Sequence, residues 1–163
     1  MSEKKKTQTA YINAPVQEVW RALTDPQLTV QYVGGRVQST WRAGDEVLYL
    51  APDSDARLLE GHVVEVEPLR RLTIRCRWLF ALELANDEPH RETFELETVG
   101  NVTRLTATFD EYEDGSASYH ACDMARTGDS LKTLLECGSR LFAVEPTTET
   151  SEAVSIVIPT EAS

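Results

Sequence analysis

Residues 118–142, SYHACDMARTGDSLKTLLECGSRLF, form the longest stretch with helical spacing and constrain the fold most. Leu131, Leu134, Leu135, Gly138, Leu141 and Phe142 recur every three or four residues, as on one face of a helix. Traced backwards, the same face carries Gly128, Thr127, Met124 and His120. One end of this stripe is densely apolar, and the other is small, soft or polar. A continuous helix over the whole stretch would be roughly 37 Å long. Such a helix needs an apolar surface to lie on, so the rest of the chain must supply one.

The preceding residues read as a sheet. Residues 7–13 have strand composition and stop before Ala14-Pro15, where proline suits the first turn of a helix. Val16, Val19, Trp20 and Leu23 make that helix apolar on one side, and Pro26 ends it. A second short helix fits residues 26–32, before Gly34-Gly35. Strand-like runs follow at 36–42, 46–51, 57–67, 70–80, 92–99 and 102–112, with turn residues between them and a loop expected over 81–88. In the run 70–80, Leu72, Ile74, Cys76, Trp78 and Phe80 share one face, opposite Arg71, Thr73, Arg75 and Arg77. Gly100-Asn101 signals a two-residue hairpin. Setting Val99 opposite Val102 brings Glu97 to Arg104 on the wet face, while Leu96 meets Leu105 and Phe94 meets Ala107 on the buried one.

The order is strand, two short helices, about six consecutive strands, long helix. This predicts an α+β domain in which a curved antiparallel sheet of six to seven strands wraps around the C-terminal helix. The apolar half of that helix would seal the core, and its thinner half would roof a cavity. The domain is expected over residues 7–142. Residues 143–163, rich in Thr, Ser, Glu and Pro, are expected to be a disordered tail.

Charge and composition narrow the partners. The chain has 163 residues, 27 acidic against 16 basic, and a net charge of −11. That balance opposes nucleic-acid phosphates and anionic membrane surfaces. No run approaches the 18 or so apolar residues of a spanning helix, and the N-terminus lacks an apolar signal-peptide core. Cys76, Cys122 and Cys137 form no CxxC pair and read as free thiols, which places the protein in a reducing cytoplasm.

The segments INAPVQEVWRALTDP, WRAGDEV, EGHVVEVEPLRRLTIRCRW, TFELETVGNVTRLTATF and SLKTLLECG, in this order, resemble the START-like (SRPBCC) helix-grip superfamily. Within it they are similar to the branch named after the activator of heat-shock-protein-90 ATPase, which also holds bacterial proteins of polyketide-cyclase and lipid-transport type. The resemblance covers roughly residues 7–142. It implies a helix-grip fold with part of the space between sheet and helix left open. It makes Trp41, Trp78, Phe80, Phe94 and Phe109 candidate cavity walls rather than plain core. Many relatives carry Gly-Trp where this chain has Asp123-Met124, so Met124 and Gly128 become candidates for setting the cavity's shape.

Candidate polar groups are fewer. Glu60 and His62 share a strand face with Val64 and Val66. If that face is internal, they point into the cavity as a ligand anchor or an acid–base pair. If the strand end is solvated, both are wet. Tyr49 is a further orienting group. His120 either approaches the cavity mouth or stands exposed at the helix start, and His90 is expected to be exposed. Cys76 and Cys122 should face inward as inert thiols, with Cys137 at the core edge. The histidines lack ligand spacing for a metal, and no nucleotide, hydrolase or metalloprotease motif is present. The leading expectation is therefore binding of a small hydrophobic molecule, a lipid, polyketide or aromatic metabolite, without a cofactor. A cyclase or hydrolase using a cavity acid–base residue is one alternative. A co-chaperone-like interaction module, with a chaperone or a second copy as partner, is the other.

Overall fold

The computed structural model describes residues 5–123 and 125–137. The chain runs β1 (Lys6–Ile12), α1 (Val16–Thr24), α2 (Pro26–Tyr32), β2 (Arg36–Gln38), β3 (Glu46–Leu50), β4 (Arg57–Glu67), β5 (Arg71–Trp78), α3 (Leu82–Ala85), β6 (His90–Val99), β7 (Val102–Asp110), α4 (Ala117–Ala121) and α5 (Thr127–Cys137). The seven strands form one antiparallel sheet in the order β1-β7-β6-β5-β4-β3-β2. Strands 2 to 7 are a plain meander, and β1 closes the far edge by pairing with β7. This is the helix-grip arrangement of α+β type expected from the element order.

The β6–β7 hairpin has the register that turn chemistry and alternation dictate. Val99 faces Val102, Glu97 faces Arg104, Leu96 faces Leu105 and Phe94 faces Ala107. Arg104 and Glu97 are joined by an ion pair on the outer face. Asp25 separates α1 from α2, and its carboxylate accepts the Gln27 N–H at 2.8 Å. That bond satisfies one of the donors orphaned at a helix start.

The C-terminal stretch is two helices rather than one. α4 ends at Ala121 and α5 begins at Thr127. Thr127-Gly128-Asp129 is helix-start composition inside an otherwise periodic run, with Asp129 favourable to the first-turn dipole. α4 has its own cap, Ser116, whose hydroxyl accepts the Tyr119 N–H at 3.0 Å. Lys6 ties this segment to the sheet edge through the Tyr119 carbonyl and an ion pair to Asp123 at 2.9 Å. The described part of α5 is therefore about 16 Å long, and residues 138–142 of the expected helix lie outside the described residues, as does the tail at 143–163. The segment expected as a loop over 81–88 contains the single turn α3.

α5 packs on β1, β7, α1 and α2. Leu131, fully buried, and Leu134 join Ile12, Val19, Leu105 and Phe109 in one core cluster at that end of the sheet. A second cluster, Val37, Val47, Leu59, Val63, Leu72, Ile74 and Cys76, covers the inner face of β2–β5. Trp20 and Trp78 touch both clusters. Because α5 begins only at Thr127 and its described part is set over β1 and β7, the described helices leave the concave face of β3–β6 partly uncovered.

Candidate functional site

That uncovered face is a cavity of about 540 Å³, within the usual range for small-molecule sites. Val47, Tyr49, Leu59, Leu72, Ile74, Trp78, Phe94 and Phe109 line it from the sheet. Leu23, Tyr32 and Val33 come from the two short helices and the turn after them. Ala121, Ala125, Arg126, Thr127 and Ser130 come from the break between α4 and α5 and its flanks. The interruption of the expected long helix thus supplies part of the roof.

Of the residues singled out from sequence, Trp41, Tyr49, Trp78, Phe80, Phe94 and Phe109 line this cavity. Phe80 lies beyond the end of β5, is 62% exposed and stands at the mouth. Burial pushes the Tyr49 hydroxyl well up, and the nearby Glu92 and Cys76 add to the shift. Tyr32 is committed elsewhere, donating its hydroxyl to the Ala22 carbonyl at 2.7 Å.

Glu60 and His62 face away. His62 is exposed, and the half-buried Glu60 sits with Arg57 at 3.4 Å on the outer face. The cause is a register shift between Val63 and Glu65. Before it, Leu59, Gly61 and Val63 point inward; after it, Val66 packs against the same inner cluster. Counting back by twos from Val66 therefore crosses a bulge, which inverts the face assigned to His62 and Glu60. Val64, the bulged residue, is 42% exposed.

His120 takes the exposed one of its two expected placements, and Gly128 and Cys137 differ from expectation. His120 is exposed and stacks edge-on against Tyr119, with ring centroids 5.2 Å apart, away from the cavity lining. Gly128 leaves no room beneath it, because a Cβ there would lie 3.2 Å from the Ala10 Cβ. It lets α5 approach β1 closely. Cys137 is exposed, whereas Cys76 and Cys122 are buried as expected. Met124 lies outside the described residues.

The polar centre of the cavity was missed. Glu92, only 6% exposed, lines the wall, and its Oε2 lies 2.8 Å from Nε2 of the fully buried His90. The signal was present in the sequence. His90, Glu92, Phe94 and Leu96 alternate along one strand, so placing Phe94 inside places Glu92 and His90 inside as well. The position of His90 at a loop-to-strand junction argues for exposure, and the strand begins two residues earlier than expected. Cys76 is the cross-strand partner of His90, with Sγ 3.9 Å from Nε2. Trp78 covers the imidazole, its ring centroid 4.3 Å away. Burial first, then the Glu92 carboxylate, pushes the Cys76 thiol well above its ordinary value, so as a free thiol it is a poor nucleophile. Glu92 is the only carboxylate among the described lining residues. The cavity is thus a mainly apolar space with one carboxylate in its wall and the polar groups of Arg126, Thr127 and Ser130 in its roof.

The sequence profile described as "Activator of Hsp90 ATPase homolog 1-like protein" matches residues 13–136. The chain belongs to this family. Solved structures share the family architecture at low identity. The Aha1 dimer from Colwellia psychrerythraea is 18% identical, with a TM-score of 0.65 over 83% of this chain and 98% of that one. A protein from Mesorhizobium loti is 23% identical, with a TM-score of 0.68 over 82% and 98%. DynU16, a protein of the dynemicin biosynthetic locus, is 23% identical, with a TM-score of 0.65 over 85% of this chain and 49% of its own. At these identities the likeness speaks for the fold alone. No curated protein matches the chain. Membership of the Activator of Hsp90 ATPase homolog 1-like family bears out the START-like resemblance of the quoted segments. Among the described residues, no helix is long and apolar enough to cross a membrane.

Proposed function

We propose that this protein binds a small, largely apolar molecule carrying one hydrogen-bond-donating group, such as a phenol or enol. The observation that carries the reading is Glu92, a buried carboxylate held by His90 and the one carboxylate among the described residues that line a mainly aromatic and aliphatic cavity. Apolar burial would supply most of the affinity, at about 25 cal/mol per Å² before association costs. Glu92 would select the donor, because a buried acceptor left unmatched penalises ligands without one. Lipids, polyketides and aromatic metabolites all offer this combination, and the three free thiols agree with a cytoplasmic setting.

Native mass spectrometry of protein purified without denaturation tests the reading. A bound small molecule, or a one-to-one adduct with added 2-naphthol, supports it. A protein that carries nothing and forms no adduct contradicts it.

The same residues favour acid–base catalysis as a second reading. A buried carboxylate and imidazole 2.8 Å apart can pass a proton to or from a bound substrate. Conversion of the captured molecule by wild type, lost in Glu92→Gln, would turn the binding protein into an enzyme. The family name and the dimeric neighbour raise a chaperone partner or a homodimer. A pull-down free of chaperone ATPase and a monomeric mass would count against both.

A further inference from the structure

The register of β5 and β6 brings three side chains of metal-binding type to one point on the concave face. Cys76 and His90 are directly paired across the strands, and Glu92 follows His90 by two residues on the same side. Their candidate ligand atoms all lie within 4.8 Å of one another. Nε2 of His90 is 2.8 Å from Oε2 of Glu92 and 3.9 Å from Sγ of Cys76. Cys76 and His90 are fully buried, and Glu92 is 6% exposed. Nδ1 of His90, also buried, has no hydrogen-bond partner.

We propose that Cys76 Sγ, His90 Nε2 and the Glu92 carboxylate form a site for one thiophilic divalent metal ion, zinc foremost, with its fourth position turned to the cavity. Zinc binds thiolate, imidazole and carboxylate at about 2.0–2.3 Å in a tetrahedron, which sets neighbouring ligand atoms roughly 3.5 Å apart. The observed separations bracket that value, so the ion enters by small side-chain adjustments on two central strands. Hydrogen bonds leave the ring uncommitted on its Nδ1 side, and Trp78 at 4.3 Å fixes its plane. Nε2 can therefore exchange its contact with Glu92 for an ion without breaking any other bond of the ring.

Charge also fits. A thiolate, a carboxylate and a neutral imidazole together balance a divalent cation, which an apolar cavity floor requires. Binding replaces the thiol proton by the metal–sulfur bond and releases that proton to solvent. Soft sulfur disfavours magnesium and calcium, and the mixed sulfur, nitrogen and oxygen set suits zinc or cobalt. Three protein ligands with one open position is the pattern of zinc sites that meet a substrate rather than brace a fold. Only Glu92 of the three lines the cavity, so the open position lies on its side, where the polar group of a bound molecule would arrive.

Cobalt(II) is the direct probe, because thiolate ligation gives a near-ultraviolet charge-transfer band and a tetrahedral site gives intense visible bands. Protein freed of metal by chelator is titrated with cobalt(II) and then with zinc(II). Expected are one equivalent of cobalt, both sets of bands, and their loss when zinc displaces it. Cys76→Ser abolishes the near-ultraviolet band, while Cys122→Ser and Cys137→Ser keep it. Glu92→Gln weakens binding by more than the roughly 10–100-fold typical of a residue that only supports a ligand. No bands in wild type, or bands that survive Cys76→Ser and vanish in Cys137→Ser, overturn the site. X-ray absorption of the wild-type zinc complex needs no variant: one sulfur with nitrogen and oxygen neighbours supports the assignment, and an all-oxygen shell rejects it. Adduct formation with 2-naphthol in the presence of chelator reports on the binding reading separately, so either proposal can fail alone.

Discussion

His90 Nε2 and Glu92 Oε2 are 2.8 Å apart in a place that solvent barely reaches. The two residues are two apart on β6, so the period of a strand puts them on one face, and the concave side of the sheet removes that face from water. Glu92 is the close hydrogen-bond partner of Nε2, with Cys76 Sγ at 3.9 Å beyond it, and the second ring nitrogen of His90 has none. Glu92→Leu should therefore leave the buried imidazole with only the long 3.9 Å contact to Cys76 Sγ and cost about 1–3 kcal/mol. Glu92→Gln, which keeps an amide within reach, should cost less. Equilibrium urea unfolding of the two variants measures the difference, and equal stabilities would show that the pair contributes little to the fold.

Gly61 is where the sheet has no room. It lies on the inner face of β4 opposite Cys76, and an added Cβ would sit 2.2 Å from the Arg75 carbonyl oxygen and 2.7 Å from the Cys76 Cα. Both obstacles are backbone, so no rotamer change relieves them. Gly61→Ala should destabilise by about 1–3 kcal/mol and loosen the strand that carries Cys76. The checks are the midpoint of denaturant unfolding and faster alkylation of Cys76 in the native protein.

Thr29 holds the turn that leads from α2 into the sheet. Fully buried, it donates its hydroxyl to the Gly35 carbonyl at 2.8 Å and accepts the Val37 N–H at 3.1 Å. Thr29→Val keeps the shape and strips both bonds, leaving two buried backbone groups unmatched. A loss of about 1–3 kcal/mol is expected. Thr29→Ser, which keeps the hydroxyl, should recover most of it. Thermal unfolding of the pair of variants separates the hydroxyl from the methyl.

The thiols give a pH dependence with a definite sign. Burial, reinforced by the Glu92 charge, pushes Cys122 up to about 12 from 9.0, and Cys76 shifts in the same direction. Between those two values the unfolded chain has lost the Cys122 proton and the native one has kept it. Stability is therefore fully present below about pH 9 and falls as the pH rises towards 12. Cys122→Ala should flatten this alkaline decline. In the native protein at neutral pH, iodoacetamide should modify the exposed Cys137 quickly and the other two slowly, as peptide mapping would show.

Legibility followed period and turn chemistry closely. The β6–β7 hairpin could be registered residue by residue, because Gly100-Asn101, the Glu97–Arg104 pair and the Leu96–Leu105 pair all agree. The aromatic walls were legible for the same reason, Trp78 through the alternation of β5 and Phe94 through that of β6. Two local events broke the reading. The bulge at Val64 reversed the faces of Glu60 and His62, and a bulge leaves little trace in a run of valines and glutamates. The helix break before Thr127 hid inside a continuous periodicity, with Thr127-Gly128-Asp129 as its only mark. Glu92 and His90 failed differently. Their alternation was plain, but polar residues at a strand start are usually wet, and here the inner face of the sheet buries both.

Calorimetric titration with 2-naphthol tests the central claim, that the space over β3–β6 is a binding site whose polar contact is Glu92, most directly. Ala125 lines the cavity from the connection between α4 and α5, so Ala125→Trp fills the space from outside the regular elements. Expected are one-to-one binding to wild type, affinity at least about tenfold lower for 2-methoxynaphthalene, which lacks the donor, and no binding to Ala125→Trp at unchanged thermal stability. Absence of saturable heat in wild type, or unchanged binding in Ala125→Trp, would contradict it.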